Sequence, residues 1–163
     1  LRTAGMISPA SVQVVLRASG YEDHYRACIR EHELTDLVQL KPATPYVDAL
    51  AEMLVADGLL VFQGFTSNPA IPAKLYEYLR ARRPIFAMVD AEGDTATVLR
   101  EARIDSIVPI DAPQAIAEAL AGFLKRIRSS ETPTATPQSI LGSSRESRAR
   151  ELAAVLDAIV EAS

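Results

Sequence analysis

Tryptophan is absent from the 163 residues, and the other large aromatics are five tyrosines and four phenylalanines. That scarcity argues against a stacking platform for sugars or bases. Cys28 is the only cysteine, which excludes an internal disulfide framework and fits a reducing compartment. The seven glycines form no Gly-x-Gly-x-x-Gly fingerprint, and neither a Walker A loop nor a Gly-x-Ser-x-Gly elbow occurs. Kinase-like and hydrolase chemistries therefore have no foothold. No apolar run approaches the roughly 20 residues that cross a bilayer, and nothing reads as a secretory signal. Basic charge is short as well: 17 Lys and Arg against 21 Asp and Glu leave a net charge of −4. The cations are scattered apart from small clusters at 80–83 and 145–150, so a nucleic-acid partner is not expected. These absences describe a cytoplasmic-type domain, long enough for a full core. The chain opens at Leu1 and reads as a fragment of a longer protein.

What is present is an alternation of two periods. "SVQVVLRAS" (11–19), "DLVQLK" (36–41), "GLLVFQ" (58–63), "PIFAMV" (84–89) and "SIVPI" (106–110) have strand length and composition. Helical patterns fill 21–34, 44–56, 70–82, 93–103 and 112–130, with Pro45 suited to a first turn and Asp94 to an N-cap. Strands apolar on both sides and separated by helices predict a mostly parallel sheet covered on both faces. The expected fold is α/β, three-layer and doubly wound (Rossmann-like). Residues 1–130 would form this nucleotide-binding domain, and 131–142, rich in Pro, Thr and Ser, an irregular connection. Residues 143–163 would form a last helix, with Ser143 and Glu146 at capping-box spacing and an apolar stripe of Leu152, Val155, Leu156, Ile159 and Val160.

Ligands in such sheets bind beyond the carboxyl ends of the strands, which selects the loops 40–45, 63–72 and 89–94. The longest enters "NPAIPAKLYEYLRARRP" (68–84), where a helix begins near Asn68 to Pro72. The first amides of a helix have no intrahelical partner, so those of Ala73 and Lys74 are free to hold a phosphate or diphosphate. Ile71, Leu75, Tyr78 and Leu79 share the core stripe, whereas Lys74 and Glu77 lie one turn apart on another. Lys74 can supply charge to a diphosphate, and Glu77 can accept hydrogen bonds from ribose hydroxyls. A solvated Lys–Glu surface pair explains the same spacing without a ligand.

The block "IPAKLYEYLRARRPIF" (71–86), within 36–128, closely resembles the C-terminal, donor-binding half of GT-B glycosyltransferases of the family-4-like type. The resemblance implies transfer of a sugar from a nucleoside-diphosphate sugar, without a metal or other cofactor. It assigns the donor diphosphate to the amides of Ala73 and Lys74, the ribose to Glu77, and the nucleobase to the region of Leu40 and Lys41. Pro69 stands where many retaining members carry a first glutamate, so the sugar contact is absent or passes to Ser67 or Asn68. The resemblance also implies a first strand, central in the sheet, which is missing here together with its glycine-rich turn. Its loss would require a re-paired sheet, a partner's strand or further sequence. The catalytic residues and acceptor contacts are expected in an N-terminal GT-B half of the same protein, against which the last helix would pack. This segment alone would therefore be inactive. The base, the sugar, the acceptor and retention versus inversion stay open.

Rival readings remain. A nucleotide-sugar epimerase of the same architecture would need a histidine or acidic cluster that the sequence does not offer. A non-catalytic α/β interaction module would bind no nucleotide. The exposed stripe of the last helix is open to self-association, and its basic residues 145–150 to a peripheral membrane contact of the full-length protein, although only one side is basic. His24, Cys28 and His32, at i, i+4 and i+8, lack a further ligand for a metal. Surface placement of the histidines is the simpler reading. The Arg82–Arg83 pair complements the negative end of its helix.

Overall fold

Aliphatic quartets become strands, and the periodic stretches between them become helices, in the computed structural model of the chain, which describes residues 1–142 and 144–161. In order these are β1 (Val14–Arg17), α1 (Glu22–Glu31), β2 (Val38–Lys41), α2 (Tyr46–Val55), β3 (Leu59–Phe62), a 3-10 turn (Phe65–Ser67) and α3 (Ala73–Ala81). There follow β4 (Ile85–Met88), α4 (Asp94–Glu101), β5 (Ile107–Val108), α5 (Pro113–Arg128), α6 (Pro137–Gly142) and α7 (Arg145–Glu161). The chain divides into two compact units, Leu1–Ala51 and Glu52–Ser163.

In the first unit β1 and β2 pair in parallel, from Val14 opposite Val38 to Arg17 opposite Lys41. Leu37, just ahead of β2, is buried. Arg2 grips Asp36 through both guanidinium nitrogens, at 2.6 and 3.0 Å. In the second unit β3, β4 and β5 form a parallel sheet in that order, with Leu59 opposite Ile85 and Ala87 opposite Ile107. Its side chains alternate. Ile85, Ala87 and Val89 join Leu59, Val61, Leu75, Leu79, Ala96 and Leu99 in a core with α3 and α4 on one face. Phe86 and Val108 pack with Phe123 of α5 on the other, the Phe86 and Phe123 rings 5.3 Å apart between centroids. This unit is therefore three-layered, helices over both faces of a parallel sheet, as the unbroken apolar strands demand.

The single sheet expected from the sequence is not formed. Among the described residues no strand pairing joins β1 to β3, so the molecule has two small parallel sheets.

Other differences are local. The connection 131–142 is not irregular throughout, because Pro137–Gly142 is helical. Thr136 caps it, its Oγ1 accepting the Ser139 amide at 3.2 Å, and Pro137 takes the first position, where a missing N–H costs nothing. Ser143 lies outside the described residues. The cap seen on α7 is Ser144, whose Oγ accepts the Ser147 amide at 3.1 Å. Asp94 is not the N-cap of α4 but its first residue; Gly93 caps, its carbonyl taking the Thr97 amide at 3.1 Å. From there the Asp94 carboxylate still faces the positive end of the helix. Arg83 does more than complement a dipole, since its Nε donates to the carbonyl of Ala56 beyond the end of α2.

Glycine scarcity shows at the helix ends. α1, α4 and α5 each turn out of the helix on a residue with positive φ, yet these are Glu33, Arg103 and Ser130. In each the following amide reaches back five residues, Leu34 to Ile29, Ile104 to Leu99 and Glu131 to Arg126, at 2.8–2.9 Å. The closing bond, joined in α1 and α4 by an apolar pair, offsets a left-handed residue that glycine usually occupies.

Space around Gly58 is tight. A Cβ on Gly58 would stand 3.1 Å from Ile127 Cδ1 and 3.2 Å from the Phe123 ring. Gly58→Ala is expected to destabilise the protein by roughly 1 kcal/mol; a variant as stable as the parent in urea unfolding would show that α5 yields freely. Across the sheet, Arg126 holds Asp105 at 2.7 Å and Ser106 Oγ at 2.6 Å. The hydrogen bond from Arg126 pulls the Asp105 carboxyl below its ordinary 3.8, against partial burial. A depressed carboxylate contributes stability above its unfolded value that disappears as pH falls through the lower folded value. Asp105→Asn should therefore cost under about 1 kcal/mol at neutral pH, because the pair is largely exposed. That difference should close as pH falls below 3.8, measured as paired denaturation curves.

Candidate functional site

The loop between β3 and α3 is built from the strand outward. Gln63, only 8% exposed, continues β3 and turns its amide into the loop. Its Nε2 donates to the carbonyl of Ser67 at 2.8 Å and also to that of Ala70. Backbone bonds from Ser67 to Gly64 (3.1 Å) and from Ala70 to Ser67 (2.9 Å) close the turn. The chain then passes Ile71 and Pro72 into α3.

Pro72 is the N-cap, with φ −59° and ψ 128°, and no side chain caps the helix. The helix thus starts at Ala73, a few residues later than the earliest start its sequence allows. The Leu75 amide is taken by the Pro72 carbonyl at 2.9 Å. The amides of Ala73 and Lys74 precede the first intrahelical bond, and among the described residues none caps them. Leu75 and Leu79 are buried and anchor the helix, while Lys74 is exposed and Glu77 half-buried. Burial, and then the charge of Glu77, pushes the Tyr78 phenol above its ordinary value, so it stays protonated at neutral pH.

A second loop leaves β4 beside the first. Asn68 donates its side-chain amide to Asp90 Oδ2. The other oxygen, Oδ1, accepts the Glu92 amide at 3.0 Å. The Asn68 carbonyl meets the Asp94 amide at 3.4 Å, where α4 begins. Gly93 is buried against this junction, and a Cβ there would stand 3.2 Å from Asn68 Oδ1.

Ser67, Asn68, Ala73, Lys74 and Glu77 therefore belong to one stretch at the carboxyl end of β3. Ser67 lies in the exposed 3-10 turn and its carbonyl is held by Gln63. The Asn68 side-chain amide is engaged by Asp90. Leu40 and Lys41 close β2 in the other unit, both half-buried, with the Lys41 carbonyl accepting the Ala18 amide at 2.9 Å. Gln63 and Asp90 shape these loops, and the sequence pattern alone does not single them out. The signal for them is a polar residue directly after a fully apolar strand, at Gln63 and again at Asp90 after Val89.

His24 and Cys28 stand one turn apart on α1, Sγ 3.7 Å from Nε2, and His32 is the C-cap. Among the described residues no group of three His, Cys, Asp or Glu is placed to hold a metal. No described helix is long and apolar enough to cross a membrane. Comparison with protein-family models, with curated proteins and with solved structures finds no match for this chain.

The buried amide of Gln63 is expected to carry the loop. Gln63→Leu roughly keeps the volume but leaves the Ala70 carbonyl without its donor and the Ser67 carbonyl with the Ala70 amide alone, at an expected cost of about 1–3 kcal/mol. Urea unfolding measures it. A cost under about 0.3 kcal/mol would mean that backbone bonds alone hold the turn.

Proposed function

We propose that the chain is the donor-binding half of a glycosyltransferase and binds a nucleoside-diphosphate sugar. The observation that carries this is the start of α3: a proline cap with no side chain on it leaves the Ala73 and Lys74 amides open at the carboxyl end of β3. That is the edge at which parallel sheets bind ligands, and a helix start favours an anion there. The resemblance of 71–86 to the family motif supports the same assignment.

In this reading the two amides and the Lys74 ammonium bind the diphosphate, and Glu77 accepts from the ribose hydroxyls. Ser67 or Asn68 serves the sugar. As the glycosyl bond breaks, negative charge grows on the departing diphosphate. The helix end and Lys74 stabilise that charge where it develops, without covalent chemistry or a required metal. An N-terminal half supplies the acceptor, so this chain alone does not turn over. A second reading is an interaction module, favoured by the stripe Leu152, Val155, Leu156, Ile159 and Val160, each more than half exposed.

Calorimetric titration with UDP, GDP, ADP and TDP separates the two. Selective binding of one nucleotide, weakened about tenfold by Glu77→Ala, is the expected result. Binding indifferent to Glu77→Ala would remove the ribose assignment. No binding of any of the four would leave the interaction module.

A further inference from the structure

Among the described residues α7 buries no side chain, and every residue from Glu151 to Glu161 is exposed. Its five large apolar residues, Leu152, Val155, Leu156, Ile159 and Val160, are 53–75% exposed. Their spacing puts them on one side of the helix. Arg145 and Ala149 continue that side toward the start, seven and three residues before Leu152. A helix of 17 residues draws most of its stability from packing such a face, so this one needs a cover.

Size and charge along the face say what fits. Arg148 pairs with Glu151 at 2.9 Å and Arg150 with Glu146, both within α7. Among the described residues Arg145 enters no ion pair. The face therefore has an unpaired cation at its head, a small residue next and bulk behind. α7 turned end for end matches that order. With Leu152 of one copy level with Leu156 of the other, Ala149 falls level with Ile159, small against large. Arg145 then reaches the last turn of the other copy, where the helix dipole is negative and Glu161 adds its charge. A parallel pair would instead set Arg145 against Arg145 and Ala149 against Ala149. A membrane fits less well. The apolar end, 152–161, has Asp157 and Glu161 and no Lys or Arg, so anionic headgroups repel it.

We propose that α7 is a homodimerisation surface: two copies of the chain join by their last helices, antiparallel about a two-fold axis at the level of Ala154. Each contact then occurs twice. This does not depend on the donor-site reading of α3. Two helices of this length cover less than the roughly 800 Å² per partner of a standard interface, so the dimer dissociates in the range of about 10–100 µM.

The experiment is sedimentation equilibrium of the full chain, loaded from about 1 to 500 µM, where a monomer–dimer equilibrium in that range is expected. Leu152→Asp/Leu156→Asp, checked for folding by circular dichroism, should be monomeric throughout. If it does not fold, Leu152→Ala/Leu156→Ala carries the test, with a loss of at least about tenfold. Arg145→Glu should weaken the dimer about fivefold, and that difference should shrink in about 1 M salt. Orientation is read by oxidising an equimolar mixture of Ala149→Cys and Ile159→Cys chains, each also carrying Cys28→Ser. The mixed disulfide should dominate. A wild type that stays monomeric overturns the proposal, and sedimentation of that monomer with phosphatidylcholine–phosphatidylserine vesicles would assign the stripe to a membrane instead. A dimer indifferent to the α7 leucine variants or to Arg145→Glu overturns it too, as do disulfides that join like with like.

Discussion

β4 is the strand on which the second unit depends. Both of its edges are hydrogen-bonded, to β3 and to β5, and Ile85, Phe86 and Ala87 are fully buried on its two faces. Burying a side chain of Phe or Ile size contributes about 1.5–3 kcal/mol, and here each face recruits a different set of helices. The one face needs Leu75, Leu79 and Leu99; the other needs Phe123, Ile116 and Ile127. A slip of one residue would exchange the faces, so the register of β3 and β5 on β4 is set by packing. That register also decides which loops are neighbours. With Phe62 opposite Met88, the chain leaves both strands at the same level, and the two exits bring Asn68 beside Asp90.

Function, in the reading proposed here, is a consequence of how those exits are finished. An N-cap serine or aspartate would have satisfied an amide at the start of α3. Pro72 has no such group, so the helix begins with uncapped amides and with no carboxylate of its own over them. Held polar groups surround this opening: the Gln63 amide beneath the loop and the Asn68–Asp90 pair at its side. Rigid amides bind an anion with little ordering cost.

Much of the architecture is legible along the chain. All five strand runs and the six long helical patterns occur among the described residues, because composition and period report burial directly. Residues 84–89 read as a doubly buried strand, and Ile85 to Ala87 are the most buried residues of the sheet. The misreadings share one cause. Thr136 with Pro137 reads as a connection and Asp94 as a cap, although both choices turn on which group accepts the first amide, a matter of one residue. The open amides of Ala73 and Lys74 are legible because proline and the absence of an intrahelical partner are local facts. Gln63 and Asp90 are not, since a polar residue directly after an apolar strand reads the same whether it holds a loop or faces water.

By itself, then, the sequence determined the order of elements, the buried faces of β4 and α3 and the open amides of Ala73 and Lys74, all of which follow from neighbours within a turn or a pleat. The tertiary structure alone decided that the strands form two sheets and that Asn68 meets Asp90 across 22 positions of chain. Hydrogen bonds between distant segments depend on register and strand spacing, and those are settled only when both faces of the sheet have been packed.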